Sequence, residues 1–147
     1  MKHFLAMVVI CACAIFTVAH AQNSVTESAV SACPQPAEVL PIHLYGMWRA
    51  DFEGGAPSAT ILFEKHPELA GSVSGGVNRD GIKAQIVGDV DNGEFTLEES
   101  HDGKRIDANW LGAVIANSCG KEIRGTWNKH SNQTSHAFVL RKLPGWQ

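Results

Sequence analysis

Short turn signals divide this chain at nearly regular intervals, and they constrain its fold more than any other feature. Asp80-Gly81, Asn92-Gly93 and Asp102-Gly103 each stand between runs that alternate apolar and polar residues. Such pairs favour tight hairpins, because a type I′ turn needs positive φ at both central residues. Gly54-Gly55, His66-Pro67, Cys119-Gly120 and Asn132 continue the punctuation. The intervening runs predict eight strands, at 43–53, 58–65, 70–78, 82–91, 94–100, 104–114, 121–129 and 135–142. Ile61 and Phe63, Phe95 and Leu97, and Phe138 and Leu140 mark the face of a half-buried antiparallel sheet. No stretch carries a sustained 3.6-residue apolar stripe, so little helix is expected.

Eight sequential strands joined by short turns predict an all-β fold, an antiparallel up-and-down barrel that closes on itself and removes exposed edges. A two-sheet β-sandwich is the alternative layout. Gly46, Gly75, Gly88, Gly112 and Gly125 interrupt the strands, where a small barrel needs bulges and sharp coiling.

The first 21 residues are built differently. Lys2 and His3 precede an apolar run from Phe4 to Val18, and Ala19-His20-Ala21 places small residues where signal peptidase cuts. Fifteen apolar residues fall short of the roughly 20 that span a bilayer. Residues 1–21 therefore read as a secretory signal, which implies a periplasmic or secreted protein; a lipoprotein anchored at Cys13 is the minor alternative. Cleavage removes Lys2, Cys11 and Cys13. It leaves 11 basic and 15 acidic residues, net −4, a balance that argues against nucleic acid as partner. Cys33 and Cys119 then remain as a pair, which in an exported chain reads as one disulfide.

Residues 22–42 carry Pro34, Pro36 and Pro41 and read as an extended arm leading into a single domain at 43–147. The 147-residue length leaves no room for a second sizeable domain.

Gly46-Met47-Trp48 opens the first predicted strand. A G-x-W there, followed by a meander, resembles the lipocalin and avidin group of small β-barrels (the calycins). That resemblance implies a Trp plugging one barrel end and a ligand-binding role. Leu40 to Trp48 is also similar in outline to bacterial inhibitors of secreted metalloproteases, small barrels with one disulfide and an N-terminal arm. This second likeness implies a protein partner, an extracytoplasmic protease engaged by the arm between Pro34 and Tyr45. One of the two cysteines here lies in the arm, which departs from the inhibitor pattern.

Catalytic motifs are absent from the sequence. There is no G-x-S-x-G, H-E-x-x-H or P-loop. Asp89 to Glu94 is similar to a calcium loop, but its glycine falls at the fifth position and Ser100 stands at the twelfth, so it reads as an Asn-Gly hairpin. Glu98, Glu99, His101 and Asp102 cluster before a turn. Neighbours on a strand point to opposite faces, so Glu98 and Glu99 cannot both meet one substrate, and a solvated turn is expected. His43, His66, His101, His130 and His136 lack metal-ligand spacing, although His130 and His136 flank one loop and can meet in space.

No cofactor, metal or enzymatic activity is therefore expected. The expected function is binding of a small apolar or aromatic molecule, lined by Trp48, Trp110, Trp127, Phe63 and Phe95. The competing role for these rings is to fill the barrel, since eight strands leave an interior barely wider than its side chains. Trp146 is expected to pack across a barrel end.

Overall fold

Alternating side chains and two-residue turns produce a closed antiparallel barrel in the computed structural model, which describes residues 33–145. Its strands are β1 (Gly46–Phe52), β2 (Ala59–Lys65), β3 (Ser72–Arg79), β4 (Ile82–Asp91), β5 (Glu94–Ser100), β6 (Ala108–Val114), β7 (Glu122–Lys129) and β8 (Thr134–Lys142). Each pairs with the next, and β8 closes onto β1 from Trp48 opposite Lys142 to Phe52 opposite Phe138. Closure leaves no unpaired strand edge, which decides between barrel and sandwich. The signal segment, residues 22–32 of the arm and Trp146 lie outside the described residues.

Two of the three strongest turn signals form as expected. Asp80 and Gly81 take φ 51° and 83°, and Asn92 and Gly93 take 48° and 83°, the doubly positive geometry of tight hairpins. Asp102-Gly103 does something else. The Asp102 carboxylate accepts the backbone N–H groups of Lys104 and Arg105, each at 2.9 Å, and folds a local turn. That turn delays β6 to Ala108, four residues beyond its expected start.

β1 also starts late, at Gly46 rather than residue 43, because Pro41–Leu44 forms a single helical turn, α1. Pro41 occupies the first helical position, where its missing N–H costs nothing. A 3₁₀ turn at Pro36–Glu38 precedes it. The described part of the arm is thus two short turns rather than an extended run.

Strand register runs unbroken through the interior glycines, so they act by close approach and not as bulges. Gly112 lies opposite Gly125, and a Cβ on Gly112 would sit 2.5 Å from the Arg124 carbonyl and 3.2 Å from the Phe138 ring. The bare Gly112 backbone admits the Phe138 ring, whose centroid lies 5.0 Å from that of Trp110.

The arm stoppers one barrel end. Cys33 is bonded to Cys119 in the β6–β7 loop, and Pro34, Val39 and Leu44 are buried there. A Cβ on Gly93 would meet Pro36 at 3.0 Å, and one on Gly120 would meet Val39 at 3.2 Å. Leu44 accepts the Trp48 indole N–H at 2.6 Å, and Lys142 donates to the His43 carbonyl at 2.7 Å. The opposite end carries the β1–β2, β3–β4, β5–β6 and β7–β8 loops and has no such stopper among the described residues.

Candidate functional site

Strand parity determines what faces the open end. Phe95 and Leu97 point inward on β5, and the same period buries Glu99, 1% exposed, while Glu98 faces out. On β3 the inward row through Val73, Gly75 and Val77 ends on Arg79. Phe52, Trp110, Trp127 and His136 complete the layer from β1, β6, β7 and β8.

These groups converge on the Glu99 carboxylate. Its Oε2 accepts the Trp110 and Trp127 indole N–H groups, each at 3.1 Å. Arg79 adds a two-pronged contact, Nη1 to Oε1 at 3.2 Å and Nη2 to Oε2 at 3.4 Å. The guanidinium lies 4.3 Å from the Trp127 ring centroid, 5.3 Å from Phe52 and 5.9 Å from Trp110, a stack of cation on aromatic faces. His136 covers Trp127 from 5.9 Å and bonds through Nδ1 to the Glu53 carbonyl at 3.0 Å. With two indoles and an arginine as donors, Glu99 is buried and fully engaged in place of the solvated position expected for it.

A cavity of about 240 Å³ lies at this end, lined by Ala56, Pro57, Arg79, Ile82, Glu99 and Trp127 together with Ala108, Asp80, His101, Asp107 and Lys129. At its rim Asp107 accepts both the backbone N–H of His101, at 2.8 Å, and a contact from its Nδ1, at 2.9 Å. These two bonds hold the Asp107 carboxyl below its ordinary pKa of 3.8. A larger concavity of about 630 Å³ lies on the outer wall of β1 to β4, where Gly75 and Gly76 carry no side chains. Lys83 and His101 are the only ionisable side chains among its lining residues.

The five aromatic candidates separate into two groups. Trp48 packs edge-on to Phe63 at 5.9 Å and Phe63 to Phe95 at 6.1 Å, filling the stoppered half. None of those three lines the open cavity; Trp127 does, and Trp110, its register partner on β6, stands beside it in the same layer. His130 is exposed on the β7–β8 turn while His136 turns inward, so they serve different surroundings. Among the described residues no three His, Cys, Asp or Glu side chains converge as a metal-ligand set.

Sequence reasoning missed Arg79 as a site residue and placed Glu99 in solvent. The signal that finds both is parity: counting in steps of two from Phe95 reaches Glu99, and from Val73 reaches Arg79. No family model matches the chain, and no curated protein matches it.

Proposed function

We propose that the protein is a non-enzymatic binding protein whose barrel takes a small ligand, apolar or aromatic in its main part, at the open end. One observation carries this reading: the arm stoppers one end, while the other opens on a cavity floored by a charged pair and aromatic rings. Ligand sites combine an apolar wall with a few placed polar groups, and Ala56, Pro57, Ile82 and Ala108 around Arg79 and Glu99 fit that description. Every Glu99 oxygen accepts at least one donor, which suits holding the arginine better than proton transfer. Export to the periplasm or beyond is part of the proposal. A disulfide persists in an oxidising compartment, and no described helix is long and apolar enough to cross a membrane.

Indole N–H signals test the site directly, because Trp48 reports the stoppered end and Trp110 and Trp127 the open one. Titrating a panel of small aromatic and aliphatic compounds into ¹⁵N-labelled protein should move the Trp127 and Trp110 signals and leave Trp48 in place. A panel that moves none of them, or moves only Trp48, rejects the reading.

The second reading, binding of an extracytoplasmic protease through the arm, draws on Leu40 and Ile42. Both side chains are about half exposed on a cap held by Pro41 and the disulfide. The doubly charged L40D/I42D variant should then lose inhibition of a sensitive secreted protease; unchanged inhibition would exclude the arm.

A further inference from the structure

The Arg79 guanidinium is held firmly but is under-used. Arginine offers five N–H donors and no acceptor. Glu99 engages one on each terminal nitrogen, whereas the buried Nε–H has no partner. Buried donors are nearly always paired, so an unpartnered one on a side chain that lines a cavity marks a missing acceptor. Glu99 does not reach it, since its oxygens meet the two terminal nitrogens and the two indoles instead.

Charge narrows the chemistry of the missing group. Arg79 and Glu99 neutralise each other, with side chains 13% and 2% exposed. A ligand bearing net charge would be buried against a pair that is already balanced, at a desolvation cost nothing there offsets. The rim is mixed, with Lys129 and Asp80 both lining it and Asp107 engaged by His101, and so attracts neither sign strongly. Size narrows it again, because about 240 Å³ falls below the ~300–1,000 Å³ of drug-sized sites.

Resting on the open-end reading above, we infer that the ligand is an uncharged, single-ring compound bearing a carbonyl acceptor, an amide or ketone, which is set onto the Arg79 guanidinium while its ring packs on Pro57, Ile82 and Ala108. Glu99 and the Trp127 face are positioning groups that hold the guanidinium plane in register with the incoming carbonyl.

The test is a matched series of benzamide, benzoate, benzylammonium and toluene, titrated into the purified protein and followed by the Arg79 Nε–H and Trp127 indole signals. Benzamide should bind at least tenfold more tightly than the other three and should move the Arg79 signal. In the R79M/E99Q variant, which removes both charges but keeps an acceptor for the indoles, toluene affinity should persist and the benzamide preference vanish. A preference retained in that variant overturns the assignment. So does equal affinity of the wild-type protein for toluene and benzamide, or a preference for either charged probe, while a moving Trp127 signal leaves the open-end site standing. If no probe moves Trp127, the ligand class and the open-end reading fall together. The wild-type series decides the matter even if the variant does not fold.

Discussion

Glu99 and Arg79 show how much one buried residue depends on its partner. Removing one member of a buried ion pair leaves an uncompensated charge and costs about 3–5 kcal/mol, whereas removing both can be nearly neutral. Arg79→Met alone should therefore lower the urea midpoint strongly, and R79M/E99Q should recover most of the loss. Equal midpoints for the single and double variants would show that the pair is not coupled. Gly125 is a second sensitive position. A Cβ there would run into the Leu111 carbonyl and the Gly112 backbone, which cannot swing aside as a side chain could. Gly125→Ala should cost about 1–3 kcal/mol, the usual penalty of overpacking, and lower the melting temperature. A surface control such as Gly71→Ala, where a Cβ meets nothing within 4 Å, should stay near the parent value.

Among the elements, the β5–β6 loop is set by electrostatics where the two-residue hairpins are set by backbone geometry. Backbone N–H groups of Arg105 and Lys104 hold the Asp102 carboxyl well below the ordinary carboxylate range, and the Arg105 side chain adds to this. Asp107 is lowered chiefly by the His101 backbone N–H, then by the His101 side chain. A carboxylate whose folded pKa is depressed contributes stability above its ordinary value of 3.8, lost as pH falls through the lowered one. The loop should therefore hold at pH 4 and loosen only in stronger acid. The amide shifts of His101, Lys104 and Arg105 should titrate with midpoints under 3.8 while the strand amides stay fixed. Midpoints at or above 3.8 would remove these bonds as the loop's support. At this scale the sequence was largely legible. All eight strands lie where alternation and turn residues placed them, with the main departures at β1 and β6. Both have a local cause that period-two reasoning does not weigh: a proline at a helix start, and an aspartate that folds back on its own backbone.

For the molecule as a whole, the disulfide and the arm make the two barrel ends unequal. Cys33 and Cys119 are 86 residues apart, and closing such a loop removes roughly 4–5 kcal/mol of unfolded-chain entropy in the simplest treatment. C33S/C119S should be destabilised by up to that amount. Its amide protection should fall first around Pro36 to Leu44, with the Trp110 and Trp127 indole signals unmoved. Simultaneous loss at both ends would mean that the stopper and the open-end layer form one cooperative unit.

By itself the sequence determined the strand count, the inward face of β2, β5 and β8, the two tight hairpins and the cysteine pair. Those are local properties, set by φ preferences and a two-residue period. Only the tertiary structure decided that the sheet closes through β8 and β1, that the arm fills one mouth, and that Trp48, Phe63 and Phe95 belong to the stoppered half. It also decided that a glutamate beside an apparent surface turn meets an arginine 20 residues away and two indoles. Parity says which face a side chain takes; what waits there depends on strands brought around the barrel from distant parts of the chain.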